Sequence, residues 1–227
     1  MIAEINSIFA EIGFVFAEGP EAETEAYNFD RLNVPKDHPA RDMQDTFWLK
    51  PEDTKEPMVL RTHTSPVQAR YMESHKPPMR VIVPGKVFRN EATDATHEAQ
   101  FFQLEGLYVD KGVHLGQLKG TTEYFFSKIF SGEVEVPFRP SFFPFVEPGV
   151  EVDMMLKGGN SKLANRWIEI MGAGMIHPNV LRGSGIDPAL YSGFAFGMGI
   201  DRLAVMKYGI DDIRHLYSGD LRFINQF

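Results

Sequence analysis

Three side chains near the middle of the sequence have the types and spacing needed to bind a charged ligand. Arg89 ends a predicted strand over residues 86–89, and Gln103 and Glu105 stand two residues apart in the predicted strand 100–110. Alternate residues of a strand point to the same face, so Gln103 and Glu105 share one face. An arginine can clamp a phosphate, while a carboxylate and an amide can hold an ammonium group. A solvated hairpin with surface ion pairs would show the same spacing.

A glycine-rich segment, residues 193–199, leads directly into a helix predicted over residues 199–208, with Arg202 one turn inside it. Its glycines permit a close approach of the backbone to a ligand. No Lys-Ser/Thr pair follows, and the spacing differs from that of a dinucleotide-binding turn. Taken alone, this segment therefore identifies no ligand.

Two further groups have both a structural and a functional interpretation. The spacing of Phe143 and Phe145 places them on one face of a strand, where they would either pack in the core or form the wall of a pocket for an aromatic ring. The neighbouring prolines interrupt a regular strand ladder, which weakens the interpretation as core. His63 precedes a helix predicted from Ser65 and Pro66, a serine N-cap followed by a first-turn proline. A buried histidine is often structural, but the free N–H groups of such a helix suit an anion.

The elements that must position these groups are predicted from periodicity and turn residues. Helices are expected over residues 2–12, from residue 20, and over 65–72, 115–130 and 199–208. Strands are expected over 46–49, 58–62, 80–83, 86–89, 100–110, 134–139, 150–156, 166–171 and 193–198. Strands joined by short turns, with helices at the start, middle and end, predict an α+β fold: an antiparallel sheet backed by helices, in one domain over residues 1–227.

Composition excludes several classes of protein. The 227 residues contain no cysteine, which excludes a disulfide scaffold, a thiolate zinc site, an iron-sulfur cluster and a cysteine nucleophile. No apolar stretch approaches the roughly 20 residues of a membrane span, so we expect a cytoplasmic protein without a membrane partner. The net charge of -8 predicts that this chain alone holds a nucleic acid weakly.

Several strings resemble class II aminoacyl-tRNA synthetases. Phe88-Arg89-Asn90-Glu91 is similar to their second signature motif, and the glycines and arginine of 197–202 are similar to the third. The strings 38–43, 45–49, 61–66, 93–97, 138–145 and 193–199 resemble the bacterial phenylalanine-tRNA ligase alpha subunit family, in a likeness that runs from about residue 8 to Phe227. The resemblance implies a class II catalytic domain. It also implies an amino-terminal coiled-coil arm that is absent here, so we expect a piece of a longer chain.

The resemblance implies a role for each matching residue. Arg89 and Arg202 would be the catalytic arginines that bind the phosphates of ATP. The other expected ATP contacts are Glu91, His97 and Phe101. The groups expected around phenylalanine are Trp48, His63, Ser65, Gln103, Glu105, Phe143, Phe145, Ala195 and Gly197. Glu147 would bind Mg²⁺ in a site that the family completes from a beta subunit.

The implied activity is ATP-dependent activation of L-phenylalanine and its transfer to the 3′ end of tRNA(Phe). The resemblance implies that the chain acts as the catalytic subunit of an alpha/beta heterotetramer, with a beta subunit as partner. In isolation we expect a homo-oligomer, because a large apolar contact face seldom stays in water. Two alternatives are a class II relative that acts as an amino-acid ligase and a binding module without catalysis. The presence of both Arg89 and Arg202 favours intact ATP chemistry, and Gln103 and Glu105 disfavour the binding module.

Overall fold

The computed structural model describes residues 1–37, 46–50, 52, 55–130, 134–156 and 167–227. Within these ranges the predicted fold class is confirmed: a large, mainly antiparallel sheet is backed by helices. The string 38–43, used above for the family resemblance, lies outside the described residues.

Eight of the described strands form the main sheet, and two form a small separate one. The main sheet consists of β1 (Val15–Phe16), β4 (Met79–Phe88), β5 (Gln100–Asp110), β6 (Val134–Glu135), β7 (Phe138–Phe143), β8 (Val146–Leu156), β9 (Ile168–Ile176) and β10 (Ser192–Gly199). Its order is β1-β4-β5-β10-β9-β8-β6, with β7 also paired to β8. Among these pairs, only β1 and β4 run parallel. The small sheet pairs β2 (Ala22–Thr24) with β3 (Met58–Leu60).

The helices lie at the start, middle and end of the chain, as predicted. They are α1 (Ile2–Glu11), α2 (Glu25–Asn28), α3 (Ser65–Ser74), α4 (Leu115–Phe130), α5 (Pro178–Gly183), α6 (Ile200–Tyr208) and α7 (Leu221–Ile224), with short 3-10 turns at Asp30–Leu32 and Ile213–Leu216. In the described ranges, every helix is too short or too polar to cross a lipid bilayer.

The two faces of the main sheet are covered differently. Helices α1, α4 and α6 bury one face in the principal core, where Phe9 stacks on Phe125 with ring centroids 4.9 Å apart. On the opposite face, Val67 of α3 packs against Val81 and Leu107, and residues of α5 join the same cluster. Because strand residues alternate between faces, Gln103 and Glu105 lie on this second face, as predicted.

The predicted break between two strands at residues 84–85 is wrong. Strand β4 is continuous, and both Pro84 and Gly85 pair with β5. Proline cannot donate to a ladder, but β1 pairs only with Val81 and Ile82, so Pro84 has a free outer edge. A side chain at Gly85 would overlap the Arg61 guanidinium, whose Nε atom donates to Lys86 O at 2.8 Å.

The helix predicted from residue 20 is also wrong at its start. Residues Ala22–Thr24 form β2, and the helix begins at Glu25. Glu23 is fully buried and accepts two hydrogen bonds from Arg70, from Nε at 2.8 Å and from Nη2 at 2.7 Å. This long-range ion pair and the pairing with β3 outweigh the local pattern of acidic residues that suggested a helix.

Candidate active site

The centre of the site is the buried carboxyl group of Glu105. This residue of β5 is 5% exposed and accepts a hydrogen bond from the Ser65 hydroxyl, at the first residue of α3. Burial raises the pKa of Glu105 to about 7, although the Ser65 hydrogen bond and the Arg89 charge oppose it. Removal from water disfavours the charged form of a carboxyl group. A cationic ligand group beside Glu105 would therefore favour its ionised form.

The ionised carboxyl group of Glu105 should destabilise the ligand-free chain at pH 8, and Glu105→Gln should remove this destabilisation. The folded-state pKa of about 7 lies above the ordinary value of 4.5. Between these values the unfolded chain binds fewer protons, so wild-type stability falls as pH rises through the range. We expect Glu105→Gln to raise the free energy of unfolding by on the order of 3 kcal/mol at pH 8 and to change it little at pH 4.

Urea unfolding of both proteins at the two pH values measures this difference. Glu123→Gln, on the exposed surface of α4, is the matched control and should show no such dependence on pH. A difference between Glu105→Gln and wild type that is the same at pH 4 and pH 8 would contradict the prediction.

Arg89 lies close to this carboxyl group at the end of β4. Its backbone N–H donates to Ala99 O at 2.9 Å, its Nε atom donates to Thr62 O at 3.3 Å, and its guanidinium carbon lies 5.0 Å from the centre of the Phe101 ring. Burial lowers the pKa of Arg89, while Glu91 and Glu105 oppose that shift. In the part of the chain that the structure describes, no hydrogen bond occupies the terminal nitrogens of this guanidinium. They remain able to bind an anion.

Three polar atoms in this region are buried without a hydrogen-bond partner among the described residues: His63 Nδ1, Gln68 Nε2 and Gln103 Oε1. Burial, followed by the Arg89 charge, lowers the pKa of His63 to about 3, so its ring is neutral at physiological pH. Buried polar atoms are normally paired, so this group of donors and acceptors indicates where a polar ligand can bind.

Gln68 is a candidate that the sequence analysis missed. It lies three residues after Ser65 and therefore on the same side of α3, and both side chains are buried. That one-turn spacing from a predicted site residue is the signal that could have found it.

A strip of glycines beside these groups keeps part of the sheet face free of side chains. Gly197 lies opposite Glu105 on one side and Gly172 on the other, and Gly199 lies opposite Gln103. A Cβ atom at Gly197 would lie 3.2 Å from Glu105 Cγ and 3.4 Å from Gln103 Nε2. A ligand can contact the backbone at this position, and a larger residue would prevent it.

Two aromatic rings stand next to this strip. The Phe143 and Phe145 rings are stacked, with centroids 5.9 Å apart and planes inclined by 19°. Both are half-buried, and a Cβ atom at Gly172 would lie 3.0 Å from the Phe143 ring. Ala195 and Phe145 pack against the same apolar cluster under α3. This partly exposed stack suits the wall of a pocket better than it suits a closed core.

The loop between β4 and β5 carries two of the predicted ATP contacts. Glu91 is half-buried, and its backbone N–H donates to Arg89 O at 2.9 Å. His97 is exposed, and its Nδ1 atom lies 3.1 Å from Asp94 Oδ1. Hydrogen bonds from Thr96 and His97 hold the pKa of Asp94 far below its usual range. The loop is therefore shaped by an aspartate-centred turn that presents His97 to solvent.

Arg202 lies in the first turn of α6, which follows β10 directly. Its side chain is exposed, and Nη1 donates to Glu169 O at 2.9 Å. Because Gly199 lies opposite Gln103 in the sheet, α6 begins beside the polar end of the site. The free N–H groups of a helix start favour an anion at the same place.

Trp48 contacts Phe29, whose apolar cluster also packs against Phe145. Trp48 is 52% exposed. Its backbone pairs with that of Val59, and its ring stacks on the Phe29 ring with centroids 6.5 Å apart. The role of Trp48 in binding phenylalanine stays a prediction.

Glu147 does not belong to a cluster of possible metal ligands among the described residues. Its side chain is 74% exposed, and Oε2 lies 3.2 Å from His177 Nε2. The described residues contain no group of three or more histidine or acidic side chains that could hold a metal ion. Protein sites for Mg²⁺ usually combine one or two carboxylates with substrate phosphates. A single carboxylate paired with a histidine does not form a metal site by itself, so we assign no chemical step to magnesium, and this role of Glu147 stays a prediction.

Comparison with known proteins agrees with this geometry. The family described as "tRNA synthetases class II core domain (F)" matches residues 1–227. The chain belongs to this family. The predicted class II fold is thereby confirmed.

This class II chain is similar along its whole length to curated subunits from several bacteria. It is 56% identical over 229 residues to the phenylalanine–tRNA ligase alpha subunit of Alkaliphilus metalliredigens, covering 99% of this chain and 66% of that protein. It is 54% identical over 234 residues to the protein of the same name from Bacillus subtilis, covering 100% of this chain and 67% of that one. The chain thus spans about two thirds of the length of these relatives.

The fold is also similar to that of solved structures with low sequence identity. The crystal structure of pyrrolysyl-tRNA synthetase from Desulfitobacterium hafniense superimposes with a TM-score of 0.69 at 20% sequence identity, covering 97% of this chain and 72% of that one. At this level of identity the similarity supports the fold alone.

Proposed function

We propose that this chain activates L-phenylalanine with ATP and passes the phenylalanyl group to the 3′ end of tRNA(Phe). The observation that carries the proposal is the placement of an acidic and a basic group on one sheet face: the buried Glu105 carboxyl group, held by Ser65, lies close enough to the Arg89 guanidinium to interact with its charge. An amino acid needs one group for its ammonium and another for its carboxylate. The names of the relatives, phenylalanine–tRNA ligase alpha subunits, support the choice of substrate.

The ammonium group of phenylalanine would bind at Glu105 and Gln103. The Gln103 Oε1 atom is a buried acceptor without a partner among the described residues. An ammonium group donates three hydrogen bonds. The acceptors available for them are Glu105, Gln103 and the Ser65 hydroxyl oxygen. Binding would also bring the Glu105 carboxyl group into its charged form.

Activation begins when a carboxylate oxygen of phenylalanine attacks the α-phosphorus of ATP. The new oxygen–phosphorus bond forms as the bond to the β-phosphate bridge breaks, and pyrophosphate leaves with that electron pair. Both reactants are anions, so Arg89 and Arg202 would neutralise charge and hold the groups in line. No general base is needed, because the carboxylate is already the nucleophile. A terminal ribose hydroxyl of tRNA then attacks the activated carbonyl carbon. The bond from that carbon to the phosphate oxygen breaks, AMP leaves with its electron pair, and the hydroxyl proton passes to the leaving phosphate or to water.

The aromatic side chain would lie against Phe143 and Phe145, with Ala195 near the floor of the pocket. Offset aromatic contacts contribute about 0.5–1.5 kcal/mol each beyond burial of area. An apolar pocket rejects an added hydroxyl group by only about 100-fold. Tyrosine should therefore bind weakly rather than be excluded.

We further propose a beta subunit as partner, with cytoplasmic location, as the family resemblance implies. Val15 and Phe16 are exposed on the edge strand β1, and Leu221 and Phe227 are exposed near the end of the chain. In isolation such apolar groups favour association of the chain with itself. The net charge of -8 predicts weak binding of tRNA that falls steeply as the salt concentration rises.

Phenylalanine should raise the melting temperature of the chain, or of its complex with a beta subunit, more than tyrosine does. At saturating ATP, tyrosine should need an about 100-fold higher concentration to produce the same shift, because the proposed apolar wall of Phe143 and Phe145 cannot form a hydrogen bond with its hydroxyl group. Differential scanning fluorimetry over a concentration series of each amino acid measures this. Glu105→Gln should lose most of both shifts, since it removes the charge that binds the ammonium group. Equal shifts with phenylalanine and tyrosine in the wild type would contradict the proposed specificity.

A further inference from the structure

The carboxylate of Asp201 makes two hydrogen bonds that link separate parts of the site. Asp201 is 6% exposed, although an acidic residue in the first turn of a helix often faces solvent. Its Oδ2 atom accepts the backbone N–H of Phe102 at 2.5 Å, and its Oδ1 atom accepts the Tyr217 hydroxyl at 2.6 Å. No local pattern in the sequence brings these three residues together.

The bond to Phe102 extends the central sheet where its ladder stops. Pairing between β5 and β10 ends at Gln103 and Gly199, so Phe102 has no partner on β10. The Asp201 carboxylate therefore accepts the Phe102 N–H, in the place where a carbonyl oxygen of β10 would accept it if the ladder continued. Phe102 stands between Gln103 and Phe101, the ring that lies against the Arg89 guanidinium. One carboxylate therefore fixes the strand beside Arg89 relative to the helix turn that carries Arg202.

The segment that contributes Tyr217 also holds the loop between β4 and β5. The Ile213 N–H donates to Ala95 O at 3.0 Å, two residues before His97. Arg214 lies close enough to Asp94 and Glu98 of the loop to interact with their charges. Burial and the Asp201 carboxylate raise the pKa of Tyr217, so its hydroxyl keeps its proton and donates. Residues 213–217 thus connect the predicted ATP loop to α6.

We infer that Asp201 and Tyr217 are positioning residues for ATP: they set the distance between Arg89 and Arg202 and hold the loop with His97, without touching the substrate. This inference rests on the proposed function. Its effect is expected mainly in the nucleotide half of the site, because the ammonium site at Glu105 lies three residues along β5 from the bond to Phe102 and is held in addition by Ser65 of α3. Loss of the tyrosine hydroxyl should therefore weaken ATP binding and leave phenylalanine binding unchanged.

The test compares Tyr217→Phe and Asp201→Asn with a control, Tyr208→Phe. Tyr208 is an exposed tyrosine on α6, the helix that carries Asp201. Calorimetry gives the Kd of ATP and of phenylalanine for the chain and for its complex with a beta subunit. We expect Tyr217→Phe to raise the Kd of ATP by about tenfold, the effect of losing one hydrogen bond to a charged group. Asp201→Asn, which keeps the shape but loses one acceptor, should raise it at least as much. The Kd of phenylalanine should stay within about twofold in all three.

Two results would overturn the inference: an unchanged Kd of ATP in both variants, or an equal weakening of ATP and phenylalanine. Equal weakening would mean that Tyr217 and Asp201 only maintain the fold, and thermal unfolding of each variant shows whether that is so. If the wild type binds neither ligand in either form, the proposed function itself fails, and this inference fails with it.

Discussion

Replacing Arg89 with alanine should lower kcat/KM for ATP–pyrophosphate exchange by on the order of 1,000-fold, since removing one preorganised donor to developing charge typically costs 100- to 1,000-fold. Arg89 is held by Thr62 and Phe101 in a poorly solvated position, where its charge acts more strongly than it would in water. Arg202 is exposed, so Arg202→Ala should have a smaller effect, about 10- to 100-fold.

Arg89→Lys should restore little of this activity, because a lysine cannot bind a phosphate through two parallel hydrogen bonds or stack on Phe101 in the same way. Arg182→Ala, at an exposed position on α5, is the matched control and should exchange at the wild-type rate. Exchange by Arg89→Ala within about tenfold of wild type would show that Arg89 does not hold the reacting phosphate.

The second large effect is expected from a pair of glycine substitutions on opposite faces of the sheet. A methyl group at Gly197 would lie 3.2 Å from Glu105 Cγ, on the ligand side. Gly197→Ala should fold but lose about 100-fold in kcat/KM for phenylalanine, since misplacing a reactant by about 1 Å has a cost of this size. A methyl group at Gly106 would overlap the buried Phe196 ring, which lies opposite Gly106 in the sheet. Gly106→Ala should therefore lose at least about 1–3 kcal/mol of stability through overpacking.

Thermal unfolding and phenylalanine-dependent exchange, measured on both variants, distinguish the two effects. We expect Gly197→Ala to lose activity at nearly unchanged stability and Gly106→Ala to lose stability first. Full activity in Gly197→Ala would mean that the glycine strip of β10 does not contact the ligand.

Sequence periodicity was sufficient where a local pattern determines the structure. Alternation placed Gln103 and Glu105 on one face of β5, and Ser65-Pro66 located the start of α3; the structure confirms both positions. The predicted serine N-cap is wrong, because the N-cap is Thr64 and the Ser65 hydroxyl donates to Glu105 instead. Local pattern failed where partners are distant in sequence. The pairing of Glu23 with Arg70, which is 47 residues away, turned a predicted helix start into β2.

The same distinction between local pattern and distant contacts applies to the residues of the candidate site. The family resemblance supplied Arg89 and Arg202, because those residues lie in recognisable strings, and strand alternation had already singled out Glu105. It did not indicate Gln68 or the contact between Asp201 and Tyr217, which depends on how the chain returns after α6. Such contacts join elements whose relative placement is set by the whole core, so no short string of residues encodes them.

The central claim, that this site activates phenylalanine with ATP, is tested most directly by ATP–pyrophosphate exchange with each of the twenty amino acids in turn. The chain should be assayed both alone and with a beta subunit. We predict exchange that depends on phenylalanine, with tyrosine about 100-fold less effective in kcat/KM and the other amino acids lower still. Exchange that is strongest with another amino acid, or absent with all twenty in both forms, would contradict the account.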